Sequence, residues 1–215
     1  MICGYDKNIV SVVQRLMSGM LDFAVNGLEI GIEEFYDAFL KSDFPRRIER
    51  GDSKTVMGMS GIELAYAISG REPIPNNEME EFIVFNMDRS PEFWTGWALA
   101  YFQSTTRLTF GEINDFRSII DVRRMYPKYH EMDVSQFCDN MREAYFALNP
   151  MTNLQTRRKE AGISQKMLAD MSGIPLKTIQ QYEQRRKDIN RANVDYVLSM
   201  ARVMNCDIEM LLEKV

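Results

Sequence analysis

At 215 residues, with 45% apolar and 11% aromatic side chains, the chain can fill one large or two small cores and is expected to fold. No run of eighteen uncharged apolar residues occurs and the first residues, Met1-Ile-Cys-Gly-Tyr-Asp-Lys, turn polar at once, so neither a membrane span nor a secretory leader is expected, and a cytoplasmic location is. The net charge of −5 argues against nucleic acid only until it is divided: from Met151 onward eleven Lys/Arg face eight Asp/Glu, whereas the remainder has fifteen against twenty-three. Cys3, Cys138 and Cys206 are odd in number and far apart, which suits free thiols and neither a disulfide framework nor a zinc site.

In chain order, Ile9, Val12, Val13, Leu16, Met20 and Phe23 recur at helical spacing up to Asn26-Gly27, a candidate C-cap, and Ile32, Phe35, Phe39 and Leu40 repeat the pattern. Ser60 with Glu63 forms a capping box ahead of Ile62, Leu64, Ala65 and Ile68. The run Phe82-Ile-Val-Phe85 fits a strand or a buried helical turn, with helix preferred. Ser90-Pro91 opens an aromatic helix through Phe93, Trp94, Trp97, Tyr101 and Phe102, and another helix runs from Ser135 through Leu148. Asn149-Pro150 then marks a domain boundary, because the residue before proline is driven out of the helical region. The expected organisation is all-α: residues 1–149 a helical partner-binding or dimerisation domain, residues 150–215 a second domain.

The second domain has a compact logic. Thr152 and Gln155 suit a capping box for a helix that stops at Gly162, and Ser164 caps the next. Leu168 faces the core, Ala169 allows close crossing, Gly173 supplies a turn, and Pro175 suits the first turn of the following helix, on which Ile174, Ile179 and Tyr182 fall inward. Val197, Leu198, Ala201 and Val203-Met204 complete the core from a fourth helix; Ile208, Leu211 and Leu212 do so from a fifth.

From Thr152 onward this pattern resembles the Cro/C1 (XRE-like) helix-turn-helix regulators, with Gln165, Leu168-Ala169, Gly173, Ile179, Tyr182-Glu183 and Leu211-Leu212 in the family's places. The resemblance implies a five-helix lambda-repressor-like fold whose third helix, about Pro175 to Gln184, enters the DNA major groove. It places Leu176, Lys177 and Gln181 at bases, with Pro175 beside them. It places Gln165, helped by its helix N-terminus and by Thr178, at a phosphate. Arg185, Arg186, Lys187 and Arg191 would follow the flanking backbone. Arg158 and Glu183 are implied to pair across the first and third helices. Arg185 stands where many members have glycine, so an arginine in a left-handed conformation is expected to cost about 1 kcal/mol or more.

Elsewhere the residues favour structure over chemistry. His130 lacks the second histidine of a helical zinc pair, and Gly58-Met-Ser60-Gly61 lacks the spacing and strand of a nucleophile elbow. Neither a catalytic constellation nor a metal or cofactor motif is found, so an enzyme is not expected. The expected function is sequence-specific binding of an operator in double-stranded DNA by a homodimeric, autoregulating repressor. The layout is similar to antitoxin-like regulators of bacterial toxin–antitoxin-type operons, and Met57–Ala65 and Tyr126–Asp133 are similar to segments of uncharacterised proteins of such operons. A toxin or other protein is then the candidate partner of the acidic domain. The alternative is a repressor whose N-terminal domain binds a small molecule or peptide, with Trp94, Trp97 and Tyr101 lining the cavity.

Overall fold

A computed structural model of the chain describes residues 7–72 and 90–215, and within these every regular element is a helix. The run Phe82-Ile-Val-Phe85 lies outside the described residues. The chain divides into two compact units, one reaching Tyr145 and the other Phe146–Lys214.

The first unit is built on α1 (Lys7–Asp22), α2 (Ile32–Lys41), α3 (Phe44–Glu49), α4 (Ser53–Val56) and α5 (Gly61–Ser69). It continues with α6 (Pro91–Thr105), α7 (Phe110–Phe116), α8 (Ile119–Arg124), α9 (Tyr126–Tyr129) and the greater part of α10 (Val134–Leu148). Its centre is α6. Trp94, Thr95, Gly96, Ala98, Leu99, Ala100 and Phe102 are all buried, so this helix has no polar face and belongs inside. Two of the polar groups it buries are satisfied locally, Thr95 Oγ1 donating to the Pro91 carbonyl at 2.7 Å and Gln103 Nε2 to the Leu108 carbonyl at 3.1 Å, while the buried Glu92 carboxylate accepts from Arg123 Nε of α8.

Glycine decides how close α1 lies to its neighbours. A Cβ on Gly96 would stand 2.4 Å from the Met17 carbonyl oxygen, and one on Gly61 would stand 2.4 Å from the Met20 nitrogen. Backbone therefore meets backbone where α1 crosses α6 and α5, and any side chain would force the helices apart. The apolar stripe of α1 closes against this frame through Val13, Leu16, Met17, Met20 and Leu21, all buried.

Several terminations have the expected local cause. Ser60 and Glu63 form the reciprocal capping box of α5, and Ser90 caps α6 by accepting from Phe93 N at 2.9 Å, with Pro91 next in line. The first helix ends differently from expectation. The chain continues past Asp22 in a π-helical turn, Phe23–Gly27, and the left-handed residue is Glu29 at φ 53°, not Gly27. Helices α3, α4, α7, α8 and α9 were not anticipated. They span four to seven residues, too short to show a period, although Asp52, Thr109 and Ser118 cap three of them.

Candidate nucleic-acid interface

The second unit contains α11 (Asn153–Glu160), α12 (Gln165–Ser172), α13 (Leu176–Glu183) and α14 (Val194–Met204), with single 3-10 turns at Ile189–Arg191 and Ile208–Met210. The expected fifth helix is thus reduced to the second 3-10 turn, from which Leu211 still enters the core. Thr152 caps α11 by accepting from Gln155 N at 3.1 Å. The N–H of the first helical residue is met from a distance, Asn153 N donating to Glu213 Oε1 at 2.7 Å, and α11 has no reciprocal capping box.

The pair α12–α13 is set by its ends. Ser164 Oγ accepts from Met167 N at 3.1 Å to start α12, and Gly173, at φ +71°, ends it in the left-handed conformation that glycine adopts freely. Pro175 sits just before α13 as its N-cap residue, one position earlier than expected. Leu168, Ala169, Ile174, Ile179 and Tyr182 are buried together with Val197, Met200 and Ala201.

Beneath this pair lies an ion pair with a bidentate fork. Arg158 Nε donates to Glu183 Oε1 at 2.6 Å and Nη2 to Oε2 at 2.9 Å, while Nη1 reaches the Ile163 carbonyl at 2.8 Å. Both side chains are almost fully buried, with Arg158 8% and Glu183 7% exposed, and this hydrogen bonding to Glu183 raises the Arg158 pKa. Gln165 Nε2 adds a third bond to Glu183 Oε2 at 2.8 Å. One amide proton of Gln165 is therefore committed inward, leaving the other and the backbone N–H at the start of α12 for an anion.

With Ile179, Tyr182 and Glu183 inward, helical spacing turns the opposite face of α13 to solvent. Lys177 and Gln184 are exposed there, Gln181 and Thr178 are half-buried, and Leu176 is 38% exposed at the start of the helix. Gln184, one turn beyond Gln180 and on the Lys177 side, shares this exposed face although it was not singled out from the sequence. Lys166, Lys177, Arg186 and Lys187 are exposed and have no acidic partner among the described residues. Arg191 lies 3.5 Å from Asp188 but keeps its side chain 89% exposed.

Arg185 departs from its expected place on the DNA backbone. It does adopt the left-handed conformation, at φ 54°, and ends α13 in a Schellman arrangement: its N–H donates to the Tyr182 carbonyl at 3.1 Å and that of Arg186 to the Gln181 carbonyl at 2.9 Å. Its guanidinium turns to the start of the unit. It donates to the carbonyls of Asn149 (2.8 Å), Pro150 (3.0 Å) and Met151 (3.1 Å) and lies 4.5 Å from the Phe146 ring centroid. A side chain clamped in this way is structural.

Residues 154–211 match the helix-turn-helix family model. The C-terminal unit carries a helix-turn-helix domain of the Cro/C1 (XRE-like) type. The match supports a DNA-binding transcription regulator. No curated protein and no solved structure matches the chain. Among the described residues, no helix is long and apolar enough to cross a membrane and no group of three or more His, Cys, Asp or Glu could hold a metal. His130 donates from Nδ1 to the Tyr126 carbonyl at 2.9 Å and stacks on the Tyr126 ring.

Proposed function

We propose that the protein is a sequence-specific transcriptional repressor that binds its own operator as a homodimer, with α13 in the major groove. The observation that carries this reading is the outward face of α13. It presents Lys177, Gln181 and Gln184 opposite a fully buried face and is followed at once by the unpaired cations Arg186 and Lys187. Lys177 and Gln181 have the donors and acceptors that read base edges, with Pro175 and Leu176 available for apolar contact with thymine methyl groups. Lys166, Arg186, Lys187 and Arg191, with Thr178 and the free N–H groups of Gln165, hold phosphates. The first unit supplies the dimer or partner surface. In an antitoxin-like role its acidic excess would face a basic partner, and a cytoplasmic location follows from the DNA target.

The test is titration of the chain with its own upstream DNA and with a scrambled duplex, at two salt concentrations. Lys177→Ala/Gln181→Ala should lose about 1–3 kcal/mol per base contact and with it the preference for the native duplex. Arg186→Ala/Lys187→Ala should weaken both duplexes alike and flatten the salt dependence by roughly two charges. Equal affinity of the parent chain for both duplexes would refute the reading.

The effector-sensing alternative also has one observation in its favour, a cavity in the first unit lined by Trp94 and Trp97 but not by Tyr101.

A further inference from the structure

The turn between α3 and α4 gathers cations on a unit that is otherwise acidic. Gly51, at φ 67°, ends α3 in the left-handed conformation; its N–H donates to the Ile48 carbonyl and that of Asp52 to the Arg47 carbonyl, both at 2.9 Å. This reversal brings Lys54 round beside Arg46, Arg47 and Arg50, and the four cations together with Asp52 line a concavity of about 630 Å³. All four cations are exposed, so the concavity is open to solvent.

The acids of the segment do not neutralise it. Glu49 turns away from the concavity, its Oε1 accepting from the Phe110 N–H at 2.8 Å. Asp52 is in the wall, but its Oδ2 is occupied by the Thr55 N–H at 3.0 Å and the Thr55 hydroxyl at 2.7 Å. Asp43 pairs with Arg46 at 3.1 Å, whereas Arg47, Arg50 and Lys54 make no ion pair among the described residues. The Arg47 guanidinium is instead steadied 5.6 Å from the Phe44 ring centroid. Four cations against one carboxylate leave the wall at +3, and an anion would relieve their mutual repulsion.

The wall also narrows what that anion is. Three guanidinium forks and an ammonium suit phosphate oxygens, and no aromatic or aliphatic residue is present to hold a base or an acyl chain. The volume lies within the roughly 300–1,000 Å³ of small-ligand sites, so linked phosphates can span cations that a single one would not. A long polyanion is disfavoured. Outside these five residues, positions 1–150 carry eleven Lys/Arg against twenty-two Asp/Glu, and a duplex laid here would meet that excess within a Debye length of about 10 Å.

We propose that the α3–α4 concavity binds a compact phosphate chain, a diphosphate or triphosphate group, either free or carried by a nucleotide. The proposal does not rest on operator binding and is tested without an operator.

Calorimetric titration of the full chain with tripolyphosphate at low salt should show one saturable site, with orthophosphate and citrate at least about tenfold weaker. Arg47→Gln/Lys54→Gln, at two exposed positions that the core does not use, should weaken tripolyphosphate by about tenfold. Arg186→Ala/Lys187→Ala, in the other unit, should bind it like the parent. ATP binding as tightly as tripolyphosphate would identify the phosphate chain alone as the ligand, and tighter binding would identify a nucleotide as its carrier; either upholds the proposal. It is overturned if tripolyphosphate gives no saturable binding, if citrate matches it, or if Arg47→Gln/Lys54→Gln binds as well as the parent. Loss of binding in Arg186→Ala/Lys187→Ala, or displacement of tripolyphosphate from that variant by a scrambled duplex, would overturn it in favour of a nucleic-acid surface.

Discussion

Arg185 offers a direct test of whether the second unit is held by the clamp or the clamp is incidental. Arg185→Gly removes two effects of opposite sign. It relieves the left-handed strain at φ 54°, about 1 kcal/mol for a residue with a Cβ. It also deletes three guanidinium bonds to the carbonyls of Asn149, Pro150 and Met151, the contact over Phe146 and the 3.7 Å ion pair with Glu213. At about 0.7 kcal/mol for each bond and about 0.5 for the ring contact, with nothing counted for the long ion pair, the loss is roughly 2.5 kcal/mol. The clamp wins by about 1.5 kcal/mol. Arg185→Lys keeps the strain and the charge but cannot span three carbonyls, so it should cost nearly as much. Hydrogen exchange at the Ile179 and Tyr182 amides measures this in the second unit alone, and protection should fall about tenfold in both variants. Unchanged or increased protection in Arg185→Gly would show that strain outweighs the clamp. Full protection in Arg185→Lys, with only the salt dependence of DNA binding altered in Arg185→Gly, would return the arginine to the DNA backbone.

Arg158→Ala strands the Glu183 carboxylate in the core with Gln165 as its remaining partner, and should destabilise the second unit by about 3–5 kcal/mol, read by the same amide exchange. Gly96→Ala drives a Cβ into the Met17 backbone and should cost about 3 kcal/mol, measured as a lowered urea midpoint of tryptophan fluorescence; an unchanged midpoint would mean that α1 and α6 can separate without loss. The carboxyl groups of Asp52, Glu63 and Asp133 are each held below the usual range, by bonds from Thr55, Ser60 and Ser135 respectively. A lowered folded pKa contributes stability that is present above the unfolded value and lost as pH falls through the folded one. The thermal midpoint of the first unit should therefore drop on acidification below about pH 4, and Glu63→Gln should reduce that dependence.

How legible these features were depended on their range along the chain. The caps at Ser60, Ser90, Thr152 and Ser164 and the turn at Gly173 were readable because each is a bond or a φ value within three or four residues. The buried stripe of α13 was readable because Ile179 and Tyr182 follow the helical period. The Arg158–Glu183 pair was reached through the family resemblance, since nothing local announces a pair separated by 25 positions. The Arg185 clamp spans 34 to 36 residues and reads locally as part of a basic run, which is why it was assigned to phosphate. Gly61 and Gly96 look like weak points of their helices until their neighbours are known, because a close crossing is a property of two segments. The substitution of a 3-10 turn for the fifth helix was equally hidden, since Ile208 and Leu211 are spaced for either.

The two ends of α13 bear on what the whole chain must do. Pro175 as the N-cap on one side and the left-handed Arg185 just past the C-cap on the other confine the element to eight residues. Eight residues rise about 12 Å, the length of three to four base-pair steps, so one copy can inspect only a handful of bases directly. At about 1–3 kcal/mol per base pair, that falls short of the discrimination needed against a genome of competing sites. Lengthening α13 would not help, because a straight helix leaves a curving groove. A second copy one helical turn away doubles the number of bases read without changing the module. The proposed homodimer would supply that second copy, and in the same proposal its dimer surface lies outside the helix-turn-helix, on the larger helical unit.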